Sequence, residues 1–172
     1  MSTPTTMIQQ SRRAIGMGVA LVALALDQAT KWLVTTLYVP PGGVEFTPFL
    51  NLVFWRNPGV TFGLFDGHGE LGRWILTALA LAITVALAIW LRRTERRLGA
   101  VALGLVMGGA LGNVVDRVRV GAVTDFIDLH LAGRHWPAFN IADVAVVTGV
   151  VILLLDDHLN ARREARTARR SS

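Results

Sequence analysis

Apolar residues gather in four long runs, 15–37, 74–91, 98–115 and 141–158, and polar or turn-rich stretches separate them. At about 1.5 Å per residue, helices of these lengths cross most or all of a hydrocarbon core about 30 Å thick. The pattern therefore predicts four transmembrane helices. A different texture occupies 45–65, EFTPFLNLVFWRNPGVTFGLF, which is aromatic and β-branched and is broken by Pro48 and by Asn57, Pro58 and Gly59. That predicts short strands around a turn. So small a sheet needs support, and it is expected to rest on the membrane surface and the outer helix ends. With no repeat or low-complexity tract, the chain reads as one integral membrane domain, 1–172. The expected class is membrane all-α, a four-helix transmembrane bundle with a small extracytoplasmic β-sheet and outer segments 38–73 and 116–140.

Composition agrees with the pattern. Hydrophobic residues make up 52% and charged residues 17%, and the mean hydropathy is +0.48, more apolar than a soluble domain of this length. A net charge of +5 and an isoelectric point near 11.2 suit nucleic acid only where basic residues form a face or stripe. Here they sit in short clusters between apolar runs, so no nucleic-acid partner is expected. The chain has no cysteine, which excludes disulfides, thiol catalysis and cysteine metal sites. His68, His130, His135 and His158 lack ligand spacing, so no metal is expected either.

Charge placement orients the bundle. Arg12 and Arg13 precede the first run, Arg92, Arg93, Arg96 and Arg97 join the second to the third, and Arg162, Arg163, Arg166, Arg169 and Arg170 follow the fourth. With four spans, these 11 of 17 basic residues share one side. Cytoplasmic loops are the basic ones, so both termini are expected inside and the two long connections outside. Trp32, Trp55, Trp74 and Trp136 fall near the outer boundary and Trp90 near the inner one, as interfacial aromatics do. Arg12 and Arg13 ahead of an apolar run with Ala23, Leu24 and Ala25 also resemble a cleavable signal peptide, which would leave three spans.

Several polar groups stand inside or beside the spans. Asp27 and Lys31 are four apart, on one helix face, where they can pair; docking of one helix on its neighbours is the favoured reading. Gly104, Gly108 and Gly112, with Gly109 beside them, form a small-residue stripe that admits a neighbouring helix closely. Asn113, Asp116 and Arg117 end the third run, and Asp116 reads equally as a clamp from helix to loop or as a catalytic acid. In FNIAD, Asn140 is placed to cap the last helix and Asp143 to stand at its third position, which explains both without chemistry. A second carboxylate at the same level, Asp125 in VTDFIDL, raises another reading: an aspartate pair for acid–base catalysis at the outer surface. Asp125 and Asp128 share a face on a helical turn and oppose each other on a strand, so only one need face Asp143. A proton-coupled carrier is the competing class, because intramembrane Asp and Lys also mark ion paths. Against it, most charges gather at one surface and no inverted repeat is visible. A noncatalytic scaffold would account for the glycines but not for the two carboxylates.

Four segments in order, DQATKWL from Asp27, NPGVTFGLF from Asn57, GGALGNVVDRVRVGAVTDFIDL from Gly108 and FNIADVAVVTGVVILLL from Phe139, resemble bacterial lipoprotein signal peptidase, also called signal peptidase II. The resemblance covers most of the chain. It implies an endopeptidase of the plasma membrane that removes signal peptides from diacylglyceryl-modified prolipoproteins, cutting just before the lipid-bearing cysteine, without metal or cofactor. It also implies inhibition by the cyclic peptide globomycin and a small outer sheet that cradles the substrate. The implied catalytic pair is Asp125 and Asp143. Asp27, Lys31, Asn57, Gly59, Gly108, Gly109, Asn113, Asp116, Arg117, Asn140 and Ala142 fall on the family's supporting positions. Two positions depart from the pattern: Thr61, where alanine is usual, and Thr124, where valine commonly precedes the catalytic aspartate. The expected partners are prolipoprotein substrates and membrane lipids, and the chain is expected to act as a monomer. DQATKWL continues past Ala25 into a family motif, which weighs against a cleaved signal peptide.

Overall fold

The computed structural model describes residues 4–37, 39–40, 43–59 and 69–171. Thr61, His68 and the part of the strand-like segment beyond Gly59 lie outside the described residues. Among the described residues, four helices and four strands follow in the order α1 (Pro4–Thr36), β1 (Val44–Thr47), β2 (Leu50–Asn57), α2 (Gly69–Leu91), α3 (Arg97–Val120), β3 (Val123–Leu131), β4 (Arg134–His135) and α4 (Ile141–Ser171). The fold is a helical membrane bundle with one small antiparallel sheet.

Helix α3 is central and packs against α1, α2 and α4. Its glycines explain how closely. A Cβ on Gly104 would meet the backbone of Gly16, one on Gly108 that of Ala20, and one on Gly112 the Asp27 carboxylate, all on α1. Gly109 turns to α4, where a Cβ would strike the carbonyl of Ala142. Small residues thus let the backbones approach where the bilayer gives no hydrophobic drive between helices. Gly112→Ala is expected to lower stability by about 1–3 kcal/mol through overpacking, because its methyl displaces a buried carboxylate. A thermal midpoint in detergent equal to that of the unaltered protein would contradict this.

α1, α2 and α3 are each long and apolar enough to cross a membrane. α4 differs. Its uncharged stretch, 144–155, lies between Asp143 and Asp156 and covers only about 18 Å at helical rise. It nevertheless runs antiparallel along α3, with Ala142 beside Gly109, Gly149 against Ala102 and Asp156 near Gly99. The helices also exceed the apolar runs: α1 begins at Pro4, α3 continues to Val120 and α4 to Ser171. α3 ends where Gly121 adopts φ 82° and its N–H returns to the Arg117 carbonyl, with Arg117 and Arg119 in the last turn. Glycine at that left-handed position and cations at the helix C-terminus both favour the stop.

The sheet has the order β1-β2-β3-β4. The strand pair expected from 45–65 begins as β1 and β2, joined around Pro48, but β2 then pairs with the distant β3. Residues 123–131 form a strand bounded by Gly121 and by the two-residue turn Ala132–Gly133, whose φ values of 50° and 76° are both positive, as a tight hairpin requires. At the other end of the bundle, Arg12 Nε donates to the Glu95 carbonyl (3.1 Å), Arg13 Nη2 to the Arg92 carbonyl (2.9 Å), and Arg96 pairs with Asp156 (3.1 Å). The basic clusters near Arg12, Arg92 and Arg96 therefore meet at the end remote from the sheet.

Candidate active site

The start of α4 is a reciprocal cap. The backbone N–H of Asp143 donates to Asn140 Oδ1 (3.0 Å), and the N–H of Asn140 donates back to Asp143 Oδ2 (3.2 Å). Two otherwise orphaned helix donors are satisfied, which is why Asn and Asp suit these positions three apart. The same bonds fix the Asp143 side chain. Its other oxygen, Oδ1, accepts from Asn113 Nδ2 at 2.9 Å, and the residue remains half-buried.

Asp125 arrives from β3. It is 2% exposed and lies opposite Trp55 in the ladder with β2. The register shifts between Leu52 and Trp55, where β2 spends three residues against two of β3. Such a bulge exchanges the faces of the residues beyond it. Asn57, opposite Val123, consequently shares a face with Asp125, a place that Arg56 would otherwise hold. Asn57 Nδ2 donates to Asp125 Oδ2 (3.0 Å) and the Gly59 N–H donates to Asn57 Oδ1 (3.1 Å). Asn140 Nδ2 donates to Asp125 Oδ1 at 2.7 Å. Burial raises the Asp125 carboxyl to about 6, with the Asp143 charge adding to the rise and the donations from Asn57 and Asn140 opposing it.

The two carboxylates belong to one network. Asn140, fully buried, holds Asp125 and also reaches Asn113 Oδ1 (3.2 Å), while Asn113 holds Asp143. Lys31 Nζ donates to the same Asn113 Oδ1 (3.0 Å) and pairs with Asp27 (2.9 Å) and Asp116 (3.2 Å). Asp27 Oδ1 in turn accepts the Ala142 N–H (2.9 Å), at the first turn of α4. Asp116 Oδ2 accepts the Thr124 N–H (2.8 Å), which anchors the residue before Asp125. Arg117 Nη2 closes the circuit on the Gly59 carbonyl (3.2 Å). Of the supporting positions named from the sequence, all but Gly108 and Gly109 are members of this circuit, and those two act by letting the helices close. Asp116 touches neither Asp125 nor Asp143 directly.

Asp128 turns the other way on β3, to Asn51 Nδ2 (2.9 Å) and His135 Nδ1 (2.8 Å). Among the described residues no three His, Asp or Glu side chains gather as a metal site. Gln28 was missed by sequence reasoning: its Nε2 lies 3.1 Å from Asp27 Oδ2, 3.2 Å from Asp116 Oδ1 and 3.2 Å from the Gly112 carbonyl. An amide in an apolar span, next to an aspartate, was the available signal.

Chemically, the arrangement offers a buried carboxyl with a raised affinity for its proton beside a more accessible carboxylate, both oriented by amides. Residues 19–159 match the family model described as signal peptidase (SPase) II. A lipoprotein signal peptidase of Methylorubrum extorquens is 48% identical over 154 residues, covering 88% of this chain and 90% of that one. One of Beijerinckia indica is 45% identical over 148 residues, covering 85% and 89%. A solved structure described as a bacterial membrane enzyme, determined in meso at 2.3 Å, superposes with a TM-score of 0.73 at 33% identity, covering 84% of this chain and 90% of the other.

Proposed function

The chain belongs to the signal peptidase II family, and from that premise we propose that Asp125 and Asp143 are its catalytic dyad and that it cuts diacylglyceryl-modified prolipoproteins immediately before the lipid-bearing cysteine. It is an aspartic peptidase of prolipoprotein signal sequences in the bacterial inner membrane. The observation that carries the dyad is the pair of asparagines, Asn140 at 2.7 Å from Asp125 and Asn113 at 2.9 Å from Asp143, joined to each other at 3.2 Å.

In the proposed mechanism the dyad shares one proton, because two adjacent carboxylates do not both ionise readily. Asp125, the more buried, carries it. Asp143 takes a proton from a water as the water oxygen attacks the scissile carbonyl carbon, and Asp125 gives its proton to the carbonyl oxygen. The C–N bond then breaks, Asp143 passes its proton to the leaving amine, and Asp125 recovers a proton from the tetrahedral hydroxyl. The products are a signal peptide with a new carboxyl and a lipidated cysteine with a free amine.

A pH dependence follows. Asp125 holds its proton below about 6, so kcat/KM of the free enzyme declines as pH rises through that region. Asn57→Ala removes a donor that favours the ionised form, so the alkaline limb moves to higher pH. A limb that stays in place or moves down speaks against Asp125 as the acid. For folding the sign is the same: the proton bound more tightly in the folded state contributes stability at low pH that is lost between 3.8 and about 6.

The topology extends this reading. We propose that α4, which lies along α3 from Gly109 to Gly99, spans with it, and that the four spans leave both termini inside and the sheet and dyad at the outer face. The basic clusters at the opposite end support that orientation. Action as a single-domain monomer is part of the proposal, as is inhibition by globomycin at the same site. The test uses purified protein with a lipid-modified prolipoprotein and its unlipidated counterpart. Mass spectrometry is expected to find the product beginning at the lipidated cysteine, with globomycin suppressing it. Cleavage elsewhere, or equal cleavage of the unlipidated substrate, would overturn the proposal.

A further inference from the structure

Six of the 17 basic residues lie outside the three clusters: Lys31, Arg56, Arg73, Arg117, Arg119 and Arg134. Lys31 and Arg117 are buried in the network already described, and Arg73 donates to the Val118 carbonyl (2.9 Å) and lies over the Trp74 ring. Arg56 and Arg119 have a different setting. Both line a cavity of about 140 Å³ at the sheet-bearing end of the bundle, with Trp32 at its edge and Gln28, Lys31 and Asp116 behind.

Arg119 has no hydrogen bond or ion pair among the described residues. Arg56 is held by one bond, Nη1 to Thr124 Oγ1 at 2.8 Å, and by the Phe54 ring at 5.1 Å. A guanidinium carries five N–H donors, so most of those of Arg56 and all of those of Arg119 remain to be used. Among the described residues Asp116 is the one carboxylate in the wall, and its oxygens already accept from Gln28 (3.2 Å), the Thr124 N–H (2.8 Å) and Lys31 (3.2 Å). The mouth of the cavity therefore presents, among the described residues, two cations without a counter-anion. Trp32, 67% exposed, places that mouth at the level where aromatic side chains meet lipid headgroups.

We propose that the cavity between Arg56 and Arg119 binds the phosphate of an anionic phospholipid headgroup. Guanidinium forks match phosphate oxygens in pairs, which is why arginine is chosen for such groups. The volume corresponds to about five waters, enough for a phosphate and its ester oxygens, while the acyl chains stay in the bilayer. Lys31 and Asp116 line this cavity and also belong to the dyad network, so the site adjoins that network without including Asp125 or Asp143. The proposal rests on the membrane fold and not on the peptidase reading.

Native mass spectrometry of the whole protein, titrated with dioleoyl phosphatidylglycerol or dioleoyl phosphatidylcholine, tests it. One phosphatidylglycerol is expected to be retained in preference to phosphatidylcholine, and Arg119→Gln, which breaks no internal bond, is expected to weaken it by about tenfold or more. Arg119→Lys should keep part of the affinity, and Arg93→Gln, at the other end of the bundle, should keep all of it. Competition by millimolar inorganic phosphate that depends on Arg119 would support the phosphate chemistry and assign it to a soluble source; failure to compete would assign it to the lipid. Equal retention of the two lipids, no effect of Arg119→Gln, or an equal loss in Arg93→Gln would overturn the site.

Discussion

Asp125→Asn and Asp143→Asn are each expected to slow prolipoprotein cleavage by about a hundredfold to ten-thousandfold, the usual range for a positioned acid or base. The substitution keeps size and shape but removes the group that can gain or lose a proton. At Asp143 the amide still satisfies the cap with Asn140 through its oxygen, so α4 keeps its start. At Asp125 the loss of a buried carboxylate relieves desolvation, while the new amide offers one acceptor oxygen to the two donors Asn57 and Asn140, so the thermal midpoint should change little. Initial rates with a lipid-modified substrate, measured beside thermal midpoints, separate chemistry from folding. Cleavage within about tenfold of normal in either variant would remove that aspartate from the mechanism.

Lys31→Met is expected to be the most damaging change to stability. Lys31 is nearly buried between Asp27 and Asp116, whose side chains are 0% and 8% exposed. Removing the cation leaves two buried carboxylates without their counter-charge, which costs about 3–5 kcal/mol. The damage reaches function, because Lys31 also holds Asn113 and Asp27 holds the first turn of α4. Adding Asp27→Asn should recover part of the loss, since the two side chains form one interaction unit. A single variant that unfolds at the normal midpoint would show that Lys31 is not the hub of the circuit.

Much of this circuit was legible because its members obey local rules. The spacing of Asp27 and Lys31 put them on one helix face, the glycine repeat on α3 announced close helices, and Asn140 with Asp143 read as a helix start. What local rules could not supply was the partner of Asp143. Asp116, Asp125 and Asp128 were equivalent as spacings, and only the family resemblance favoured Asp125. Two nonlocal features separate them in space: β3 is a strand, which turns Asp128 away, and the bulge in β2 brings Asn57 onto the face of Asp125. Neither is written in the segment itself. The ambiguity of α4 has the same origin, since its short apolar stretch gains its place from packing on α3 rather than from its own composition.

In the proposed dyad Asp125 and Asp143 act as one unit on one proton, and kcat/KM of the Asp125→Asn/Asp143→Asn double variant decides whether they do. Groups that act together are grossly non-additive. The double variant is therefore expected to be no slower than the slower single variant, within a few-fold. If the two losses instead multiply, so that the double variant is slower than the slower single variant by about a further hundredfold or more, the aspartates act independently and the shared-proton dyad is contradicted.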